Sequence, residues 1–426
     1  MSIEDRMTID ERRKYLKKMQ ERYLQADRPG RGHLLDEMET ITGLHRKSLI
    51  RLMRGNLTRK PRRRQRGRVY GPEVDDALRV IAESTDYICA ERLTPNLTWL
   101  AKHLAAHGEL RISAQLLEQL DHISVSTVER ILTRTRQDER RLPRRGPKPR
   151  NRLLRDVPMT RIPWQEQEPG HFEVDLVHHC GPTASGEYLH TIQMVDVATA
   201  WSERVAVLGR SYLVMKDGFS RILARLPFGV LEIHPDNGSE FFNQHMLRFW
   251  RHGFPGVTIS RSRPFHKNDN PRVEQKNSTL VRAYLGNERL DSVAQVRAAN
   301  ALYDKMWLYY NFFQPVMHLV DKELIQTDGA PTRTKRRYDQ ARTPFDRLCL
   351  TDAIWPEHRQ QLEALRDATN PRRLRQDIYD GIEHLFSLPG ATPGVTENVY
   401  HTLAHPHQKG DDDWLNFTFD RTPTRK

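Results

Sequence analysis

The chain has 426 residues, room for about three domains of ~150 residues each, and is 37% hydrophobic and 29% charged. No apolar run reaches the ~20 residues of a membrane span, the opening MSIEDRMTIDERRKYLKK lacks a secretory apolar stretch, and three scattered cysteines make neither a disulfide framework nor a zinc cluster. The net charge of +13 is concentrated: residues 1–150 hold 33 Lys+Arg against 21 Asp+Glu, and the remaining residues 35 against 34. That is a nucleic-acid-binding footprint ahead of a charge-balanced body, in a chain expected to be cytoplasmic, nucleoid-associated and without a membrane partner.

Residues 1–58 read as a helix-turn-helix domain. In LLDEMETITGLHRKSLIRLMRG the apolar residues recur at helical period and Gly43 breaks the run. The second helix carries Arg46, Lys47 and Arg51 for phosphate or base contact, while Glu39 stands where such units usually have a small residue. Residues 59–71 form a basic linker, with Arg62, Arg63 and Arg64 placed to neutralise phosphates. Residues 72–137 give a second helix-turn-helix-like DNA-binding domain, with Arg130 on its last helix, and residues 138–163 another basic linker.

At about residue 164 the pattern turns to strands. HFEVDLVHH, EYLHTIQMVDVAT and WSERVAVLG read as an antiparallel meander. A helix over SYLVMKDGFSRILARL, a strand at VLEIH, a helix at NQHMLRFWRHG, a strand at VTISRS and a helix opening near Pro271 follow. The order β-β-β-α-β-α-β-α predicts a mixed five-stranded sheet with helices on its faces over residues 164–290. A post-core helix is expected over 291–330, and a mainly helical region with a loosely ordered tail over 331–426.

Three acids occupy special places. Asp175 lies inside the first strand, Asp236 at the tip of the fourth and Glu274 in the first turn of the last helix. A charge in a central strand is costly unless paired or bound to metal. With the first and fourth strands adjacent, the three carboxylates could converge. Oxygen ligands of this kind suit Mg²⁺ or Mn²⁺, as one ion or two. Glu173 lies on the same strand face as Asp175, so either could be the ligand. Asp236 could also belong to a plain DNG turn.

The stretches PGHFEVDLVHHCG, HTIQMVDVATAW, HPDNGSEFFN and RPFHKNDNPRVEQKN resemble the DDE integrase-core family, in particular bacterial insertion-sequence transposases with an RNase H-like catalytic domain. The resemblance covers about residues 160–320, with three motif blocks in order. Thirty-seven residues separate Asp236 from Glu274, near the spacing the family is named for. It implies Asp175, Asp236 and Glu274 as the metal-binding catalytic triad, selecting Asp175 over Glu173, with two Mg²⁺ for which Mn²⁺ can substitute. It also implies that Lys267, Asn268 and Lys276 lie near DNA at the site. Many members carry a basic residue seven positions after the glutamate. Here that position is Val281, with Arg282 next to it.

The expected function is therefore a transposase that binds terminal inverted repeats, cleaves 3′ ends and transfers them to target double-stranded DNA as a homodimer or larger synaptic complex. The alternatives are a non-catalytic DNA-binding regulator and a Mg²⁺-dependent nuclease on the same fold. The motif NFFQP, Asn311 to Pro315, has a family resemblance but no chemistry legible in the sequence.

Overall fold

The structure is a computed structural model that describes residues 7, 9–55, 57, 70–135, 168–235, 241, 246, 249–250, 254–260, 270–325, 333–392, 394–395 and 397–404. It divides into two compact units, Met1–Val69 and Tyr70–Lys426. No helix among the described residues is long and apolar enough to cross a membrane.

Among the described residues the first unit has three helices, α1 (Ile9–Gln25), α2 (Arg28–Thr42) and α3 (Arg46–Arg54). Its core is Leu16, Met19, Tyr23, Leu35, Met38, Leu49 and Met53. Asp27 caps α2 by accepting from the Gly30 N–H at 2.9 Å. Gly43 ends it at φ +64°, a left-handed turn that suits glycine. Helix α2, a turn at Gly43 and helix α3 thus follow one another in the chain. Glu39, out of pattern there, has a local use: its Oε1 accepts from the Arg46 N–H at 3.3 Å, at the start of α3.

The second unit opens with helices α4 (Pro72–Ser84), α5 (Ala90–Leu93), α6 (Leu97–Ala106), α7 (Ala114–His122) and α8 (Val125–Thr135) around their own apolar core. The sequence suggests that these helices stand apart as a domain. Instead they pack into one unit with the sheet and the C-terminal helices. The hinge of this docking is Asp86, in a turn where Asp86 and Tyr87 have φ of +53° and +54°. Its carboxylate accepts from Tyr379 Oη (2.8 Å), Arg375 Nε (3.2 Å) and Tyr284 Oη (3.3 Å).

The main sheet has five strands in the order β3-β2-β1-β4-β5: β1 (His171–His178), β2 (Leu189–Asp196), β3 (Ser202–Leu208), β4 (Glu232–Pro235) and β5 (Thr258–Ile259). β1, β2 and β3 are antiparallel; β4 runs parallel to β1, pairing Phe172 with Ile233 and Val174 with Pro235. This is the RNase H-like arrangement, with the first and fourth strands adjacent as expected. One face of β1, Phe172, Val174 and Leu176, packs under helix α9 (Tyr212–Arg225). Glu173, Asp175 and Val177 point to the opposite face, because side chains alternate along a strand. The helix expected at NQHMLRFWRHG lies largely outside the described residues.

On that opposite face lie α10 (Pro271–Lys276), a π-helical turn over Asn277–Arg282, the short α11 (Ala283–Leu285) and the long α12 (Val293–Phe312). α12 opens on a capping box of Ser292 and Gln295. It also covers the sheet edge. The Asn300 amide exchanges two 2.9 Å hydrogen bonds with the Ala206 backbone, and Asn311 exchanges bonds of 3.0 and 3.1 Å with Ser202. An uncovered edge strand invites pairing with another chain, so Asn311 gives the NFFQP motif a structural task. Gln314 of the same motif donates to the Thr85 carbonyl at 2.8 Å.

The sequence predicts a helix over 291–330. The helix ends at Phe312, and Leu319–Ile325 is instead strand β6, paired antiparallel with β7 (Arg333–Tyr338). Three further helices follow, α13 (Pro344–Leu348), α14 (Pro356–Ala368) and α15 (Pro371–Ser387), the last packed along α12.

Candidate active site

Asp175 sits half-buried in the middle of β1. Its Oδ1 accepts from the Leu176 N–H at 2.8 Å, and its Oδ2 accepts from Asn277 Nδ2 at 2.6 Å. Asn277 is three residues beyond Glu274, so the two side chains share a helix face. The hydrogen bond therefore fastens the face of Glu274 toward β1. Glu274 is itself half-buried, in the first turn after Pro271. Asp236 lies outside the described residues, as do Lys267, Asn268, Arg62, Arg63 and Arg64.

Glu173 is buried, and its Oε2 accepts from the backbone N–H groups of Arg272 and Val273, both at 2.8 Å. It caps α10 from the strand, satisfying two of the donors a helix start leaves open. Burial raises its pKa to about 7, against the lowering effect of the Val273 and Arg272 contacts. Of the two acids on this face, Asp175 meets Asn277 and Glu173 positions the helix. The sequence signal for the cap was faint: an acid two residues before Asp175 and a proline starting a helix far along the chain.

The basic residues separate by role. Val281 is fully buried in the core. Arg282 reaches back to β1, its Nη2 donating to the His178 carbonyl at 2.7 Å and its Nη1 to Gly286 O at 3.2 Å. The π turn explains the offset. An i→i+5 turn takes an extra residue per turn, so the eighth residue after Glu274 reaches the face that the seventh reaches in an unbroken α-helix. Lys276 is half-buried, and its pKa falls to about 7 through burial and the nearby Arg92, Arg204 and Arg272.

Arg204 stands on β3 in the row Asp175–Gln193–Arg204 across three strands. It is 1% exposed, and its Nε and Nη1 have no hydrogen-bond partner. Burial lowers its pKa to about 10. The sequence reading missed this buried cation.

The candidate DNA contacts of the first helical unit lie on α3. Lys47 and Arg51 are exposed, whereas Arg46 is half-buried and bonded to Asp36 and the Gly32 carbonyl. In the second unit Arg130 is exposed on α8, while Arg134 is tied to both oxygens of Asp75 at 2.9 and 2.8 Å.

Among the described residues no group of three or more His, Cys, Asp or Glu side chains is placed to hold a metal ion. His179 is fully buried, its Nε2 on Thr191 Oγ1 at 3.0 Å, and His190 beside it is 2% exposed. Burial pushes both pKa values down to about 3, with Arg282 adding to the effect on His179 and His178 on His190. Both are neutral when folded and titrate near 6.5 when unfolded. Their stabilising neutrality is therefore fully present above pH 6.5 and is lost as pH falls from 6.5 toward 3. At ~1.4 kcal/mol per pH unit each, the pair is expected to lower stability by about 4 kcal/mol at pH 5. Urea midpoints at pH 7.5 and pH 5 measure this, and equal midpoints would contradict it.

In comparison with known proteins, "Uncharacterized protein y4rM" of Sinorhizobium fredii (strain NBRC 101917 / NGR234) is 34% identical over 343 residues, 80% of this chain and 96% of that protein. The chain belongs to the y4rM family. No protein-family model matches it. Among solved structures, the catalytic core domain of BIV integrase aligns with a TM-score of 0.24 at 15% identity, covering 33% of this chain and 83% of that one. The simian T-cell lymphotropic virus intasome in complex with PP2A regulatory subunit B56 gamma aligns with a TM-score of 0.28 at 14% identity, covering 51% and 70%. In this y4rM-family member Asp175 lies on β1, Glu274 on α10 and Asn277 in the π turn that follows α10.

Proposed function

We propose that this chain is a DDE-type DNA transposase. It binds the terminal inverted repeats of its own element, hydrolyses the 3′ ends and transfers them into target duplex DNA, acting as a homodimer or larger assembly on the nucleoid. The observation that carries the reading is the 2.6 Å Asn277–Asp175 hydrogen bond, which holds the helix of Glu274 against the strand of Asp175.

The donor set fits a hard divalent cation. Beside the Asp175 carboxylate, the buried Oδ1 of Asn277 has no hydrogen-bond partner, and a set of oxygen ligands favours Mg²⁺ or Mn²⁺ over zinc. Asp175, Asp236 and Glu274 would hold two such ions. Bound there, they would acidify the attacking water or 3′ hydroxyl and stabilise the leaving oxygen of the phosphodiester. The chain's own groups do the rest. Asn277 fixes the rotamer of Asp175, and Glu173 fixes the start of α10. Arg282 and Lys267 supply positive charge beside the DNA backbone, and Lys276 and Asn268 supply hydrogen-bond donors there. Lys47 and Arg51 of α3, with Arg46, Arg62, Arg63, Arg64 and Arg130, engage the element's ends.

Mn²⁺ binding by calorimetry tests the donor set directly. Wild type is expected to bind, and Asp175→Asn to bind at least ~10-fold more weakly, the usual scale for altering a metal's immediate surroundings. Equal affinity in the two proteins would remove Asp175 from the site.

A further inference from the structure

The β6–β7 ribbon belongs to no part of the reading so far. Its two strands make their extensive contacts with each other. Leu319, Val320, Asp321 and Glu323 on one strand, and Thr334 through Tyr338 on the other, are all exposed, so both faces of the ribbon meet solvent. A lone two-stranded hairpin is marginal in water, and an open edge is a liability. Here the base is built with care and the arm is left bare. The Asp339 N–H donates to His318 O at 3.0 Å, and the His318 N–H to Asp339 Oδ1 at 2.7 Å. Arg347 clamps Asp339 with bonds of 2.6 and 3.0 Å and reaches the Val316 carbonyl at 2.8 Å.

The base also touches the candidate active site. Arg272 Nη1 donates to His318 Nε2 at 3.3 Å, and the backbone of Arg272 is the one capped by Glu173. Beyond that base, β7 reads RTKRRY. Lys335 makes one exposed ion pair, with Glu323 at 3.6 Å. Arg337 stands opposite Asp321 in the register, and Arg336 opposite Lys322, a rung without an acid.

We propose that this ribbon is a DNA arm that holds the target duplex beside the active site, with Lys335, Arg336 and Arg337 on its phosphates. The proposal rests on the strand-transfer reading above. A two-stranded ribbon has the width of a major groove. Contacts to phosphate position a duplex without reading its sequence. That suits a target of variable sequence, whereas the element's fixed ends call for a sequence-reading helix.

The test compares wild type with the triple variant Lys335→Ala, Arg336→Ala, Arg337→Ala and with the charge-keeping variant Lys335→Arg, Arg336→Lys, Arg337→Lys. The first readout is affinity for a labelled duplex of arbitrary sequence over a salt series. The alanine variant is expected to bind at least ~10-fold more weakly, with a log–log salt slope shallower by about 2 to 3, and the charge-keeping variant to match wild type. The second readout is cleavage of the element's ends against joining to a plasmid target. Joining is expected to fall about tenfold with cleavage intact, following the loss of duplex affinity. Unchanged affinity and slope would overturn the arm. Equal loss of cleavage and joining would overturn its assignment to target DNA. If wild type neither cleaves nor joins, the transposase reading fails, and the duplex-binding readout still decides whether the ribbon grips DNA.

Discussion

Asp175→Asn and Glu274→Gln, each introduced alone, are expected to abolish end joining while leaving affinity for the element's ends unchanged. Both substitutions keep the side-chain shape and remove one anionic oxygen. The amide introduced by Asp175→Asn can still accept one of the two hydrogen bonds that Asp175 takes from Leu176 and Asn277, so the strand and helix stay in place. The exposed Lys47 and Arg51 on α3 lie in the other compact unit and are untouched. Metal-assisted stabilisation of the transition state is worth several kcal/mol, and each ~1.4 kcal/mol is tenfold in rate. A loss of ~10³-fold or more follows, read as joined product per unit time at saturating DNA. A variant that kept a tenth of wild-type joining would remove that carboxylate from the chemistry.

The second large effect concerns stability. Glu203→Ala is expected to cost about 3–5 kcal/mol, the scale of breaking a buried ion pair from one side. Glu203 is fully buried. Its Oε1 accepts from Trp307 Nε1 at 2.6 Å and Trp201 Nε1 at 2.8 Å, and its Oε2 from Arg225 Nε at 2.8 Å. Removing the carboxylate leaves three buried donors without that acceptor. Arg225 would keep Asp304 at 2.7 Å and the Arg204 carbonyl at 3.0 Å, but both tryptophans would lose their partner. Domains of this kind hold only ~5–15 kcal/mol in total, so the variant should unfold at much lower urea. Glu203→Gln, which keeps an acceptor and the volume, should fall between. A urea midpoint for Glu203→Ala equal to wild type would show that the network carries no stability.

The sheet was legible in the sequence because its signal is local. Alternation in HFEVDLVH, the apolar and β-branched content of HTIQMV and RVAVL and the short turns mark β1 to β3. Pro271 marks the start of α10. The positions of Asp175 in a strand and Glu274 in a helix's first turn came from the same local cues. What could not be read depends on distant polar partners. Nothing in the sequence pairs Asp86 with Tyr284, Tyr379 and Arg375, or Glu83 and Glu109 with Arg372, so residues 72–137 looked like a separate domain. The ribbon escaped because both of its faces are exposed, which removes the period-2 hydrophobic signal. The π turn that brings Arg282 to β1 is also silent, since it changes the count of residues per turn without changing their kind.

The most direct test of the central claim is strand transfer by the wild-type chain, using labelled duplexes that carry the inverted repeats flanking its gene, with Mg²⁺ or Mn²⁺ and a plasmid target. The account predicts nicking at the 3′ end of each repeat, followed by covalent joining of that end to the plasmid, both lost on chelation. Binding of the repeats without cleavage or joining under either metal would contradict it and leave a DNA-binding protein on an RNase H-like fold.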